Sequence, residues 1–98
     1  MDIKVQAIHF AADQKLINFV NDKVNKLELF YDHIISSEVF LKVDKKAAKE
    51  NKIAEIKISI PGKELFAKKQ CDSFEEAADL AVDALRKQVK KHKAKISA

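Results

Sequence analysis

The strongest constraint on the fold is a stretch of strict alternation that ends in a Pro-Gly turn. Residues 54–60 alternate between aliphatic and polar side chains, which is the pattern of a strand with one buried face. Pro61 pre-sets the first turn torsion, and Gly62, the only glycine of the chain, accepts a positive φ angle. The chain therefore turns back as a hairpin, and residues 63–71 are predicted to form the partner strand.

Two further alternating stretches, residues 3–7 and residues 39–43, predict additional strands. Between them, Asp13 is placed to cap a helix that runs to about Tyr31, because apolar residues recur there at three- and four-residue spacing. The polar segment of residues 45–52 is predicted to be an exposed, mobile loop.

The last quarter of the chain, residues 73–96, predicts one long helix. Ser73 and, three residues later, Glu76 form a capping box at its start. Its predicted buried stripe is Ala78, Ala81, Val82, Leu85 and Val89. The order of elements predicts an α+β fold of type β-α-β-β-β-α: a mixed four-stranded sheet with both helices on one face, as in double-stranded RNA-binding domains.

Length and composition indicate one small basic domain. The 98 residues suffice for a single domain, residues 1–98, whose last helix has a basic end over residues 86–96 and a frayed tail at residues 97–98. The net charge of +4 favours polyanionic partners. The lone Cys71 fits a reducing compartment, and neither a signal peptide nor a membrane-length apolar run is visible. We therefore expect a cytoplasmic protein without a membrane partner.

The last helix has opposite charge at its two ends. Its acidic residues lie in the first half, and none follows Asp83. The second half of the helix holds six cations, which repel one another by more than the helix macrodipole offsets, at about 0.3–1 kcal/mol per favourable charge. A bound polyanion would relieve that repulsion. A merely solvated charged end is the simpler alternative. The six cations of the second half are Arg86, Lys87, Lys90, Lys91, Lys93 and Lys95.

Helical spacing arranges some of these cations in a row that can follow a phosphate backbone. Lys87, Lys91 and Lys95 are four residues apart and so lie on one face. On the first helix, Lys23 and Lys26 are neighbours at three-residue spacing. We expect the basic edges of the two helices to form one groove if the helices pack side by side.

Two other modes of RNA binding are less favoured. The outer face of the sheet carries several lysines around Phe40 and Phe66, which raises base stacking on an aromatic platform, although such pairs more often pack across strands. Ordinary duplex-RNA binding uses lysines at the start of the last helix. Here Glu75 and Glu76 stand at that start and would repel phosphate.

The sequence does not indicate an enzyme. His9, His33 and His92 are scattered, and no nucleophile, base or metal-ligand cluster is visible. A single glycine excludes a glycine-rich phosphate loop. We therefore expect no catalytic residue, no metal, no cofactor and no small-molecule substrate.

Three segments together resemble the short ribosome hibernation promoting factors, also called ribosome-associated translation inhibitors. Residues 16–34 read LINFVNDKVNKLELFYDHI, close to that family's first helix, and residues 41–43 resemble its second strand. The last helix is similar to the family's Asp-x-Leu-x-basic-Gln-aliphatic-x-Lys-x-Lys-x-Lys pattern over residues 83–95. The resemblance spans nearly the whole chain.

The resemblance implies a domain that docks in the decoding channel of the small ribosomal subunit, where messenger and transfer RNA would sit, and that blocks translation by occupancy. The residues for which it implies phosphate contacts are Lys23, Lys26, Lys87, Lys91, Lys93 and Lys95. We add Arg86 and Lys90 on the basis of their charge alone. We expect a monomer off the ribosome, without a second domain of its own to pair two ribosomes. A general structured-RNA-binding protein or RNA chaperone is the alternative.

Overall fold

The computed structural model describes the backbone of residues 1–97 and the side chains of residues 1–95. Its main elements are β1 (Asp2–Ala7), α1 (Gln14–Asn25), β2 (Ser36–Val43), β3 (Lys52–Ile60), β4 (Lys63–Cys71) and α2 (Phe74–Ser97). The strands form one sheet in the order β1-β2-β3-β4, in which β1 pairs parallel with β2 and the other neighbours are antiparallel. This mixed sheet confirms the predicted β-α-β-β-β-α fold. The prediction of a frayed tail at residues 97–98 reaches Ala98, which lies outside the described residues.

The buried core lies between one face of the sheet and the two helices. Alternation points Val39 of β2 and Ile56 of β3 inward, and both side chains are fully buried. α1 packs on β1 and α2, while α2 also packs on β3 and β4. The predicted stripe of α2 is buried except for Val82, which is half-buried, and Ala77 joins it. The sheet therefore has one covered face and one open face.

Side-chain caps begin both helices where the sequence predicts them. The Asp13 carboxylate accepts a hydrogen bond from the backbone N–H of Leu16 at 2.8 Å. The Ser73 hydroxyl accepts one from the backbone N–H of Glu76 at 3.1 Å. This second bond is the half of the predicted capping box that the structure shows, and it starts α2 at Phe74.

The first helix ends earlier than its apolar spacing predicts. α1 stops at Asn25 and continues as a 3₁₀ turn over Lys26–Leu29. The tighter winding buries Leu27 completely but leaves Leu29 82% exposed. The prediction of one helix to about Tyr31 was therefore wrong in its last part, because apolar residues three apart suit both kinds of helix.

The loop between β2 and β3 is largely exposed, as predicted, but hydrogen bonds hold both its ends. The side-chain amide of Gln70 donates to the Asp44 carboxylate at 3.0 Å, and this bond lowers the pKa of Asp44. The backbone N–H of Glu50 donates to the Asp72 carboxylate at 2.9 Å. Both bonds tie the loop to the end of β4.

Candidate nucleic-acid interface

The second half of α2 extends beyond the core. Val89 is the last fully buried residue along the helix, and the described side chains after it are exposed, apart from the half-buried His92. The buried stripe occupies only one side of α2, so the cations point to the remaining sides at about 100° per residue. The amide of Gln88 donates to the backbone carbonyl of Phe66 at 2.9 Å and holds this part of α2 over β4.

Asp83 is the last carboxylate before the basic end, and its single negative charge is shared by the first two cations. It accepts from the Arg86 guanidinium at 2.6 Å and lies 3.4 Å from the Lys87 ammonium. The hydrogen bond from Arg86 is the main reason why the pKa of Asp83 is lowered. Among the described residues, no carboxylate lies within 4.0 Å of the four later lysines. These are Lys90, Lys91, Lys93 and Lys95.

On one side of α2, a shallow groove runs between the two helices. Lys23, Lys26 and Arg86 line it, so the structure brings the predicted cations of α1 together with one cation of α2. The groove also contains Asp79, whose carboxylate lies 3.1 Å from the Lys23 ammonium, and Asp83. This groove, of about 170 Å³, is therefore only partly basic.

The predicted row of lysines lies on a different side. Lys91 and Lys95 line a groove of about 160 Å³ between α2 and β4, together with Lys63. Lys87 is exposed and lines neither groove. The expectation that this row would lie beside Lys23 and Lys26 in one groove was therefore wrong. α2 meets α1 along the flank that carries Arg86, not along the flank that carries the row.

Sequence reasoning also missed Lys63, which lies beside Lys91 and Lys95. Lys63 begins β4 directly after the Pro61-Gly62 turn, and the hairpin register pairs it with Ile60. Because α2 packs on β4, Lys63 joins the cations of the helix end. The signal was present in the hairpin itself, which places the residue after the turn at the end of the sheet.

An aromatic ring lies on the α1 flank of the helix end. The Phe30 ring lies beneath two cations of α2, with the Arg86 guanidinium carbon 5.6 Å and the Lys90 nitrogen 5.5 Å from its centroid. Next to this ring, Leu29, Lys90 and Lys93 line a groove of about 340 Å³. The helix end thus carries a cationic surface that is interrupted by one apolar spot.

The open face of the sheet is electrically balanced. Its outward-facing strand positions hold four lysines and four carboxylates. Glu55 lies 3.2 Å from the ammonium of Lys42 and 3.9 Å from that of Lys68, while Lys57 lies 3.4 Å from Glu38. These pairs weaken the less favoured interpretation of this face as a stacking platform for RNA.

Other chemistry is sparse in residues 1–97. No group of three or more histidine, cysteine, aspartate or glutamate side chains among them is arranged to hold a metal ion. Cys71 is buried, and burial raises the pKa of its thiol. None of the helices described is long and apolar enough to cross a membrane.

Fold and surface together define a small α+β domain whose long last helix carries a basic end, most of whose lysines have no carboxylate partner among residues 1–95. The chain belongs to the Sigma 54 modulation protein / S30EA ribosomal protein family, whose sequence model matches residues 3–97. This match confirms the family that the resemblance of the two helices and the second strand predicts.

Individual relatives agree with this assignment. A ribosome hibernation promoting factor of Pseudomonas putida is 32% identical over 95 residues, which are 97% of this chain and 89% of that protein. The Protein Y N-terminal domain of Thermus thermophilus superposes with a TM-score of 0.81 at 26% identity, over 94% of this chain and 99% of that one. A ribosomal subunit interface protein from Coxiella burnetii superposes with a TM-score of 0.85 at 21% identity, over 96% of this chain and 99% of that one. At this identity the likeness shows only that the two chains share a fold.

Proposed function

We propose that this protein regulates translation by binding the small ribosomal subunit at its decoding channel. Residues 1–98 would act as one ribosome-binding domain in the cytoplasm, monomeric when off the ribosome. The name of the Pseudomonas putida relative, ribosome hibernation promoting factor, supports the ribosome as partner. The observation that carries the proposal is the helix end, where the cations Lys90 to Lys95 have no carboxylate within 4.0 Å among the described residues.

The proposed mechanism is occupancy without a chemical step. Ribosomal RNA lines the channel with phosphates, and each lysine that reaches a phosphate releases condensed counterions. The cations spread over several sides of α2, so the helix end suits a site where RNA surrounds it rather than one flat duplex. The acidic first half of α2, with Glu75 and Glu76, would stay away from phosphate. While the domain occupies the channel, messenger and transfer RNA are excluded.

The binding experiment compares two triple variants with wild type on purified small subunits. Lys87→Glu, Lys91→Glu and Lys95→Glu together reverse the row at the helix end. Because a hydrogen bond to a charged group is worth about 1.5–3 kcal/mol, we expect affinity to fall by at least about 100-fold.

The matched control reverses three exposed lysines of the loop between β2 and β3, so both variants change the net charge equally. These are Lys45→Glu, Lys46→Glu and Lys49→Glu, and affinity should stay within about fivefold of wild type. Equal losses in the two variants would contradict the proposal, as would wild-type protein that stays off small subunits at physiological salt.

The channel itself is tested by competition. Saturating protein should prevent a fluorescent model messenger and initiator transfer RNA from loading on small subunits, and translation in a purified system should stop. Simultaneous binding of the messenger and the protein would place the site elsewhere. Equal affinity for free duplex RNA and for small subunits would favour a general RNA-binding protein or RNA chaperone.

A further inference from the structure

The 3₁₀ turn after α1 exposes an apolar spot inside the basic surface. The turn sends Leu27 into the core, so Leu29 faces solvent with 82% of its surface exposed, the most of the exposed large hydrophobic residues described. Phe30 is half-buried beside it. A leucine at such a position contributes little to folding, because its side chain stays in water.

The neighbours of this spot are cations of α2. Lys90 and Lys93 form its rim, and Ala94 extends its apolar floor, in a groove of about 340 Å³. The Lys90 nitrogen and the Arg86 guanidinium both lie within 6 Å of the Phe30 ring centroid. These cation–π contacts hold the ring in position.

We propose that this groove, formed by Leu29, Phe30, Lys90, Lys93 and Ala94, takes one unpaired base of ribosomal RNA. The base lies on the apolar floor, and the two lysines neutralise the phosphates on either side of it. The proposal rests on the proposed function, since it names a contact within the same RNA site. Charge complementarity favours RNA over a protein or lipid partner, because the apolar area is confined to three side chains and is rimmed by lysines.

The first test uses a surface substitution that leaves the core intact. Leu29→Ser should weaken binding to small subunits by about 5- to 20-fold, the lower range for one stacked base, while the salt dependence stays as in wild type because no phosphate contact is lost. Phe30→Leu should act in the same direction. Leu80→Ser is the control, since Leu80 is also an exposed leucine, at 42%, in the acidic half of α2. Binding of Leu29→Ser equal to that of Leu80→Ser would overturn the proposal.

The second test detects the base directly. Labelled protein is titrated with hexauridylate and with an abasic ribose-phosphate hexamer of equal charge, and side-chain resonances are followed by NMR. We expect the Leu29 methyl and Phe30 ring signals to shift with hexauridylate only, and the Lys93 signals to shift with both. Equal Leu29 shifts with the abasic chain would overturn the base contact.

The two proposals fail in different ways. If wild-type protein does not bind small subunits, the proposed function is refuted. The oligonucleotide titration still decides whether the groove binds a base. Wild-type protein that binds small subunits while Leu29→Ser and Phe30→Leu bind equally well sinks only the base contact.

Discussion

The open face of the sheet and the end of α2 are both rich in lysine, but their lysines have different neighbours. On the sheet, Lys42, Lys57 and Lys68 lie within 4.0 Å of carboxylates on adjacent strands. At the helix end, Lys87 pairs with Asp83, whereas the later lysines have no carboxylate within 4.0 Å among residues 1–95. A count of positive residues therefore does not locate a polyanion site. The proposed polyanion site rests on a cluster of cations without nearby carboxylates, because an unpaired cation need not give up a partner when it binds phosphate.

The largest expected effect comes from a substitution in the core on which both regions pack. Leu85 is fully buried in α2, and Leu85→Ala should lower the free energy of unfolding by about 2–5 kcal/mol. Urea denaturation followed by circular dichroism measures this loss. Leu80→Ala, at an exposed position of the same helix, should change it by less than about 0.5 kcal/mol. Similar losses in both variants would show that α2 is not anchored through this stripe.

A smaller effect tests whether ion pairing keeps the sheet lysines from binding RNA. Glu55→Gln removes the partner of Lys42 and Lys68, so we expect affinity for a single-stranded RNA oligonucleotide at low salt to rise by about threefold. Glu75→Gln adds the same net charge in the first turn of α2, away from the sheet lysines. Fluorescence anisotropy compares the two. An equal rise in both would mean that net charge alone matters and that pairing on the sheet is irrelevant.

The smallest effect concerns Asp83, the one carboxylate that pairs with the helix end. Arg86 holds the pKa of Asp83 below its ordinary value, so the pair stabilises the fold above that ordinary value, and the stabilisation is lost as the pH falls through the folded pKa. Asp83→Asn should therefore lower Tm at pH 7, and the difference from wild type should shrink as the pH falls below the ordinary value of the carboxyl pKa. Asp22→Asn is the control, because Asp22 is exposed and forms no ion pair with any residue whose side chain is described. A Tm difference that persists unchanged to low pH would refute this contribution.

Much of the fold was predictable because its local signals are strong. Alternation, the Pro61-Gly62 turn and the two caps determine the element types and most of their order. The strand at residues 39–43 was predicted too short, since Ser36 and Ser37 interrupt the apolar pattern although β2 includes them. The 3₁₀ turn was missed because its apolar spacing also suits an α-helix.

The candidate site was predictable in composition but not in arrangement. The cations of α2 are visible in the sequence, but either flank of the buried stripe could have faced α1, and helical spacing alone does not choose. The structure places Arg86 on the α1 flank and Lys91 and Lys95 on the β4 flank. The pairing of Lys57 with Glu38 likewise depends on strand register, which the sequence pattern does not determine.

The most direct measurement is the salt dependence of binding to small ribosomal subunits. Two neutral triple variants are compared with wild type: Lys90→Gln, Lys91→Gln, Lys95→Gln at the helix end, and Lys42→Gln, Lys57→Gln, Lys68→Gln on the sheet. Each lost phosphate contact reduces the slope of log affinity against log salt by about 0.7–0.9, so the helix-end variant should lose roughly 2–3 units of slope and the sheet variant none. Loss of slope in the sheet variant, with a wild-type slope in the helix-end variant, would contradict the account.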